Sequence, residues 1–313
     1  MNTFKKIGLT ALAGSLVATS AFAGELTATG SASMSVSNIT GSADTSTGKD
    51  FGMGNNVYLA GSGELDNGMT VSMSFELDSG VDTGTGTGPF DNHYVEVGSS
   101  ALGTLRLSGH GGSSAQSAMD TTAAGDIWNQ TMGVVGPTSA VAGNDSLYYT
   151  LPEFMDSLVL TASMSPGRHE QESHTSFGLV YTGVEGLTFK YGHGDSGTPS
   201  AQASHTTIMA SYAVGSFTLS ASNTEDDNAD GTADRDVTSY QLAYTLTDDI
   251  SLTYGNEVFD KVGEGTDEEV DAIGVSYTTG GMTITANTYE ATGATNTAGA
   301  KSEKFALGLS FAF

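Results

Sequence analysis

The sequence has no cysteine, few basic residues and, after residue 23, no long apolar run. The absence of cysteine excludes disulfide bonds, so stability has to come from backbone hydrogen bonding and surface burial. Glycine, serine and threonine interrupt every hydrophobic stretch of the remaining chain, which excludes a transmembrane helix of about 18 apolar residues. Only 10 residues are lysine or arginine, against 36 that are aspartate or glutamate. Such an acidic balance argues against nucleic acid or anionic phospholipid as a partner and favours cations.

Residues 1–23 are predicted to form a secretory signal peptide. Lys5 and Lys6 supply the charged region, residues 7–20 form an apolar stretch, and Ala21-Phe22-Ala23 fits the A-x-A cleavage rule. A retained membrane anchor is disfavoured, because the apolar stretch is shorter than the roughly 20 residues that a spanning helix needs. The mature domain is therefore expected to cover residues 24–313. Losing the two lysines takes its formal charge from −26 to −28.

Alternation with a period of two dominates the rest of the sequence. The last nine residues have Ala, Gly or Ser between large apolar residues at every second position, namely Phe305, Leu307, Leu309, Phe311 and Phe313. Such a pattern predicts a strand with one apolar face and one small or polar face. We find sixteen segments of this kind, and hardly any other segment remains to cover their apolar faces. The covering medium is therefore predicted to be lipid.

The connections between these segments predict how they are arranged. Short turns such as Asp66-Asn67-Gly68 join the segments in pairs, and longer polar stretches join successive pairs. This is the plan of an all-β fold, a transmembrane antiparallel β-barrel of about 16 strands. The last strand should pair with the first, because an open edge in hydrocarbon leaves unpaired amides, and both termini should lie at the periplasmic rim. The first two strands are expected at about 25–37 and 56–65. A soluble sandwich is the alternative, but sixteen uniformly alternating strands are too many for it.

The chain resembles the general porins of Gram-negative bacteria, especially the sixteen-stranded alphaproteobacterial type. The matching pieces, in order, are residues 57–65 with the Asn-Gly turn that follows, 95–98 together with 102–109, 144–152, and the C-terminal strand that ends at Phe313. The resemblance implies an outer-membrane diffusion channel without catalytic activity. It also implies that the third loop, residues 110 to about 144, folds into the barrel, and that the outer-membrane assembly machinery recognises the Phe313 strand.

Charged residues on the strands are assigned to the lumen, because a charge that faces lipid costs about 2–4 kcal/mol near the midplane. General porins set acids on the constriction loop against a basic cluster on the wall. The resemblance therefore implies a constriction formed by Asp120 and Asp126 on the loop and by Arg106, Lys190, Glu76 and Glu96 on the wall. Its basic side is poorer than the arginine-rich wall of the family, which puts a strong transverse field in doubt. The surplus of acids predicts a preference for cations.

One acidic stretch matches the calcium-loop pattern D-x-[DN]-x-[DN]-G. Its oxygen ligands would come from Asp226, Asn228, Asp230, Thr232 and Asp234. Val237 stands where a calcium loop has its bidentate glutamate, so a solvated acidic turn is the alternative interpretation. No other cofactor is indicated. The six histidines show no ligand spacing and are expected to be loop residues.

The leading interpretation is a passive channel for small hydrophilic solutes and ions, surrounded by outer-membrane lipid and lipopolysaccharide. A homotrimer is expected, because small residues on the outward faces of the first two strands allow another barrel to approach closely. These residues are Ala28, Gly30, Ala32, Gly61 and Gly63. A plugged barrel with an adhesin or structural role is one alternative, which would show dominant exterior loops. An outer-membrane enzyme is another, but no Ser/His/Asp grouping stands out in the sequence.

Overall fold

The computed structural model describes residues 26–41, 47–78, 90–141, 143–167, 172–198, 201–229, 231 and 234–313. The predicted signal peptide and its cleavage site lie outside the described residues. Within the described ranges, sixteen antiparallel strands form one closed barrel in which each strand pairs with its neighbours in sequence. The predicted all-β class, strand number and closure are thus confirmed.

The strands are β1 (Thr27–Gly41), β2 (Gly48–Glu64), β3 (Thr70–Asp78), β4 (His93–Ser99), β5 (Gly103–His110), β6 (Ser146–Thr150), β7 (Leu158–Ser165), β8 (His174–Val184), β9 (Leu187–Thr198), β10 (Ala201–Val214), β11 (Phe217–Asn228), β12 (Arg235–Thr247), β13 (Ile250–Lys261), β14 (Glu268–Thr279), β15 (Met282–Thr292) and β16 (Lys301–Ala312). Two short 3-10 turns, Ser117–Met119 and Ala294–Asn296, lie between strands. Among the described residues, no helix is long and apolar enough to cross a membrane.

The barrel closes where the last strand meets the first. β16 and β1 pair from Ser31↔Ala312 to Gly41↔Ser302. Beyond this ladder, the N–H of Gly30 donates to the carbonyl of Phe313 over 2.7 Å, and the N–H of Phe313 donates back over 3.0 Å. Short turns such as 185–186 and 280–281 lie at the rim where β1 begins and β16 ends. No edge strand is therefore left in the described barrel.

Two predicted boundaries are wrong. β2 begins at Gly48 rather than at residue 56, and β1 continues to Gly41 rather than ending at 37. The additional residues pair with one another up to Ile39↔Gly48. Backbone amides need hydrogen-bond partners whether or not the side chains are apolar. The pairing of β1 with β2 therefore continues beyond the alternating apolar segment that the sequence pattern detects.

Each strand presents an apolar face and a polar face. Large apolar side chains, such as Leu219 on β11 and Ile273 on β14, remain exposed on the apolar face. The opposite, polar face carries serines, threonines and charged residues at the alternate positions. On β7 to β14 this polar face is largely buried, because the connection between β5 and β6 packs against it. That connection, residues 111–145, is the longest in the barrel and is called the long loop below.

Candidate channel and its long loop

Apolar contacts hold the long loop against the barrel wall. Ala124, Ile127 and Met132 of the loop are buried in one cluster with apolar residues that stand on the otherwise polar face of β12 to β15. The wall residues of this cluster are Val237, Phe259, Val270, Ala272 and Ala291. Trp128 and Val134 of the loop pack against its margin. The apolar content of the loop thus has a matching patch on the wall.

Wall hydroxyl groups satisfy the buried main chain of the loop. The N–H of Ala115 donates to Ser176 Oγ over 2.8 Å, and the N–H groups of Ala123 and Ala124 donate to Ser222 Oγ and Ser239 Oγ, each over 2.8 Å. A buried N–H without a partner is costly, so these serines fix where the loop can lie.

Ionisable side chains of the wall anchor the second half of the loop. The fully buried carboxylate of Glu257 accepts the N–H of Trp128 over 2.9 Å. Arg235 donates to the carbonyl of Gly136 over 2.8 Å, and Lys304 donates to the carbonyl of Gln130 over 3.3 Å. Arg235 and Lys304 are charged donors, and hydrogen bonds from charged groups are stronger than neutral ones, so these contacts favour the observed path of the loop.

A buried polar chain lies at the end of the loop and was missed by sequence reasoning. His205 is 1% exposed, Ser196 Oγ lies 2.6 Å from its Nε2, and Asp226 Oδ1 lies 2.8 Å from its Nδ1. The other oxygen of Asp226 accepts the N–H of Thr138 over 2.8 Å. The residue types match a Ser/His/Asp grouping, but its histidine is sealed from solvent and its carboxylate is bound to the loop. Its role in this structure is to hold Thr138.

One of the sequence predictions needs correction at this place. His205 lies in β10, and His93, His110, His174 and His193 also lie in strands, so the expectation that the histidines are loop residues is wrong for these five. The long-range pairing of the strands brings His205 beside Asp226, which no local spacing reveals.

The predicted calcium ligands are only partly described. Asp226 and Asn228 lie in β11 rather than in a loop, and the N–H of Asn228 donates to Asp234 Oδ1 over 2.7 Å. Asp230 and Thr232 lie outside the described residues. In the part of the chain that the structure describes, no group of three or more histidine, aspartate or glutamate side chains is placed to hold a metal ion.

Glycines on the wall permit the close approach of the loop. A Cβ at Gly192 would lie 2.8 Å from Gln116 Cα, and one at Gly194 would lie 2.7 Å from Ala140 Cβ. Gly178 and Gly255 are similarly close to loop atoms. These residues were not predicted to matter. Their signal in the sequence is a glycine at a polar-face position inside a strand, which often marks the approach of another backbone.

The predicted constriction residues form two separate ion pairs. Lys190 on β9 contacts Asp120 of the loop. Arg106 on β5 lies 2.8 Å from Glu96 Oε2 on β4, and its guanidinium stands 4.1 Å from the ring centroid of Tyr94. Each basic residue thus forms an ion pair with an adjacent acid, Lys190 with the loop and Arg106 with the neighbouring strand.

Glu76 and Asp126 lie in different surroundings. Glu76 is 6% exposed and accepts hydrogen bonds from Tyr58, Asn56 and Asn92. It lines the same cavity, of about 400 Å³, as Glu96 and Arg106.

Asp126 Oδ1 accepts from Thr122 Oγ1 over 2.6 Å and from the indole N–H of Trp128 over 3.3 Å. Its carboxylate is therefore engaged within the loop itself. The six predicted residues do not form a single cluster.

A closed sixteen-stranded barrel with an exposed apolar outer face defines a transmembrane β-barrel. The chain belongs to the Gram-negative porin family, because the model of that family matches residues 8–313. It is therefore a channel-forming protein of the outer membrane and not an enzyme. Among curated proteins, none matches this chain.

Solved porin structures share the fold. The anion-selective porin from Comamonas acidovorans is 15% identical, with a TM-score of 0.70 over 92% of this chain and 99% of that one. The trimer form of OmpT, an outer membrane protein of Vibrio cholerae, is 13% identical, with a TM-score of 0.68 over 93% and 100%. Salmonella typhi OmpF in complex with daunomycin is 11% identical, with a TM-score of 0.69 over 93% and 98%. At these identities the likeness shows the fold alone.

Proposed function

We propose that this porin is a passive diffusion channel whose lumen is narrowed by the long loop and whose conduction favours cations. The buried contacts between the loop and the polar face of β7 to β14 support the first part. Lipid requires the apolar face, so the polar face lines the lumen and a loop that packs on it occupies part of the passage. The remaining passage then runs along β1 to β6, where Ser31, Ser33 and Ser35 stay exposed.

The charges on the open part of the wall carry the proposal of cation preference. By the alternation of the strands, the polar face of β1 to β4 has five carboxylates and, among the described residues, no lysine or arginine. The carboxylates are Asp50, Glu64, Glu76, Asp78 and Glu96. A fixed charge acts more strongly in a narrow, partly low-dielectric passage than in bulk water, so these acids attract cations and repel anions.

Reversal potentials under a potassium chloride gradient test this proposal. Replacing Asp120 and Asp126 together by asparagine should lower the ratio of cation to anion permeability by about threefold. The change removes two negative charges and leaves the positive charge of Lys190 without its Asp120 partner. Arg106→Ala should raise the ratio, because Glu96 loses its partner.

Asp66→Asn is the matched control, because Asp66 lies in the short turn between β2 and β3 rather than on the polar face. We expect it to leave the ratio unchanged. A wild-type channel that prefers anions, or loop and Arg106 variants that behave like this control, would contradict the proposal.

We also propose that the protein is a homotrimer. Ala28, Ala32, Gly61 and Gly63 give the apolar faces of β1 and β2 little side-chain bulk, which permits close barrel-to-barrel contact. Gly30 has an additional role inside the chain, because a Cβ there would lie 2.6 Å from the ring of Phe313. Contacts with lipopolysaccharide and with the assembly machinery remain predictions from the sequence.

A further inference from the structure

We propose that the cavity beside Arg106 is a binding subsite for small organic cations, namely alkylammonium and guanidinium solutes, on their way through the channel. This inference rests on the proposed diffusion function and adds a solute class to it. The cavity is called the tyrosine recess below. Its defining residues are Tyr58, Glu76, Tyr94, Glu96, Arg106 and Tyr148.

The tyrosine recess lies between two surfaces that the fold holds in place. Its wall side comes from polar-face residues of β2 to β6, and its other side comes from residues 111–113 and Ala118 of the long loop. Its volume of about 400 Å³ accommodates a solute of several carbon and nitrogen atoms rather than a bare ion alone. Since the defining side chains stand on the face that lines the lumen, a diffusing solute passes beside them, although Glu76 itself is buried.

The protein already holds one organic cation there, which shows what the recess can recognise. The guanidinium of Arg106 donates from Nε to Glu96 Oε2 over 2.9 Å, and its carbon lies 4.1 Å from the centroid of the Tyr94 ring. Carboxylate on one side and aromatic face on another is the environment that attracts a cation with apolar surface. Tyr58 and Tyr148 supply two more aromatic side chains around the same space.

The tyrosine recess has a net negative charge, which favours the binding of a further cation. Arg106 compensates Glu96, whereas Glu76 has only the neutral donors Tyr58, Asn56 and Asn92 among its described partners. With His93 and His110 of the lining counted as neutral, two carboxylates and one guanidinium leave the recess with one net negative charge.

The hydrogen bonding of Glu76 favours an organic cation over a metal ion. Three donors already occupy the Glu76 oxygens, which leaves little lone-pair capacity for direct metal coordination. An alkylammonium or guanidinium group can instead lie against the tyrosine rings and feel the carboxylate at longer range.

Single-channel recordings of the full protein in planar bilayers test the inference, with guanidinium or butylammonium chloride added to potassium chloride. The wild type should show a concentration-dependent reduction of current. Tyr94→Leu should raise the half-blocking concentration about fivefold, because the recess loses an aromatic face. Glu76→Gln should raise it about tenfold, and Arg106→Ala should lower it, because the recess then has a second uncompensated carboxylate.

Glu64→Gln is the matched control, since Glu64 stands on the polar face of β2 but does not line the recess. It should change the reversal potential and leave the block unaltered. Heat-modifiable migration on gels shows that each variant has folded. An equal block in the wild type, Tyr94→Leu and Glu76→Gln overturns the inference, as does a block that Glu64→Gln weakens as much as Glu76→Gln does. If the block depends on Tyr94 but the channel shows no preference for potassium, the inference about the recess holds and the proposed cation selectivity is wrong.

Discussion

Single glycines determine how closely the long loop can approach the wall. Gly192 on β9 faces the 3-10 turn Ser117–Met119, and a Cβ there would lie 2.7 Å from Met119 Cγ and 2.8 Å from the main chain of Gln116. Real Cβ contacts of this length essentially never occur, so any side chain at this position has to move the turn.

Gly192→Leu should therefore loosen the loop without opening the barrel. We expect limited proteolysis within residues 111–145 to become about tenfold faster, because local opening costs less free energy. The midpoint of heat unfolding should change little, because the strand ladder is intact. Gly54→Leu is the control, since Gly54 also stands on the polar face but a Cβ there would have only Ser33 Oγ, at 3.0 Å, within 4 Å. If both variants are cleaved at the wild-type rate, the loop is not positioned by this contact.

Two acidic residues of the loop affect its backbone conformation as well as its charge. Asp120 and Asp126 have positive φ angles of 59° and 56°. Aspartate and asparagine tolerate this left-handed region better than most residues, so each acid also permits a turn of the loop. For this reason the asparagine substitutions proposed above remove charge while keeping the turns.

At the scale of elements, an apolar contact helps to hold the long loop against the barrel wall. Met132 of the loop is fully buried against the wall cluster, whereas Val135 in the same loop is 60% exposed. The two positions thus separate the effect of burial from that of added charge.

Met132→Lys should detach the loop, because an unpaired buried ammonium costs about 3 kcal/mol or more. Single-channel conductance should rise and current noise should increase, while the barrel still inserts. Val135→Lys adds the same charge at an exposed site and should keep the wild-type conductance. Equal conductance in the two variants would show that the cluster does not hold the loop in the passage.

The sequence predicted the elements far better than their contacts. Period-two alternation identified sixteen strands and their faces, because these depend on neighbours one or two residues apart. The closing pair followed from the cost of unpaired amides in hydrocarbon. The hydrogen bond from Trp128 to Glu257 spans 129 positions, and that from Thr138 to Asp226 spans 88. Such partners depend on which strands stand side by side and on how the loop bends, which local patterns do not contain. The same limit hid the contacts of His205 and the pairing of Arg106 with Glu96 on the neighbouring strand.

At the scale of the whole molecule, the faces of β1 and β2 determine whether barrels can associate. A Cβ at Gly61 would have Met73 Cγ at 3.9 Å and Leu26 Cδ1 at 4.0 Å, which are ordinary contacts, so one barrel accepts a side chain there. A neighbouring barrel in close contact does not accept it.

Gly61→Leu should therefore weaken the trimer by about 1–3 kcal/mol per interface through overpacking, while the monomer still folds. Seminative gel electrophoresis with increasing temperature measures the loss as earlier dissociation. Ala221→Leu on the apolar face of β11 is the control and should dissociate as the wild type does. A trimer that is equally heat-stable in both variants, or a wild type that is monomeric in mild detergent, would exclude β1 and β2 as the contact.

The joining of β1 to β16 also imposes an order of events on biogenesis. Until residues 302–312 are available to pair with β1, the sheet has two free edges, and each edge carries amides that hydrocarbon cannot solvate. A partly exported chain consequently gains nothing by entering the bilayer strand by strand as it emerges. The barrel can therefore insert into the membrane only after the final strand has been exported. Until then the chain is an open, aggregation-prone intermediate that needs protection in the periplasm.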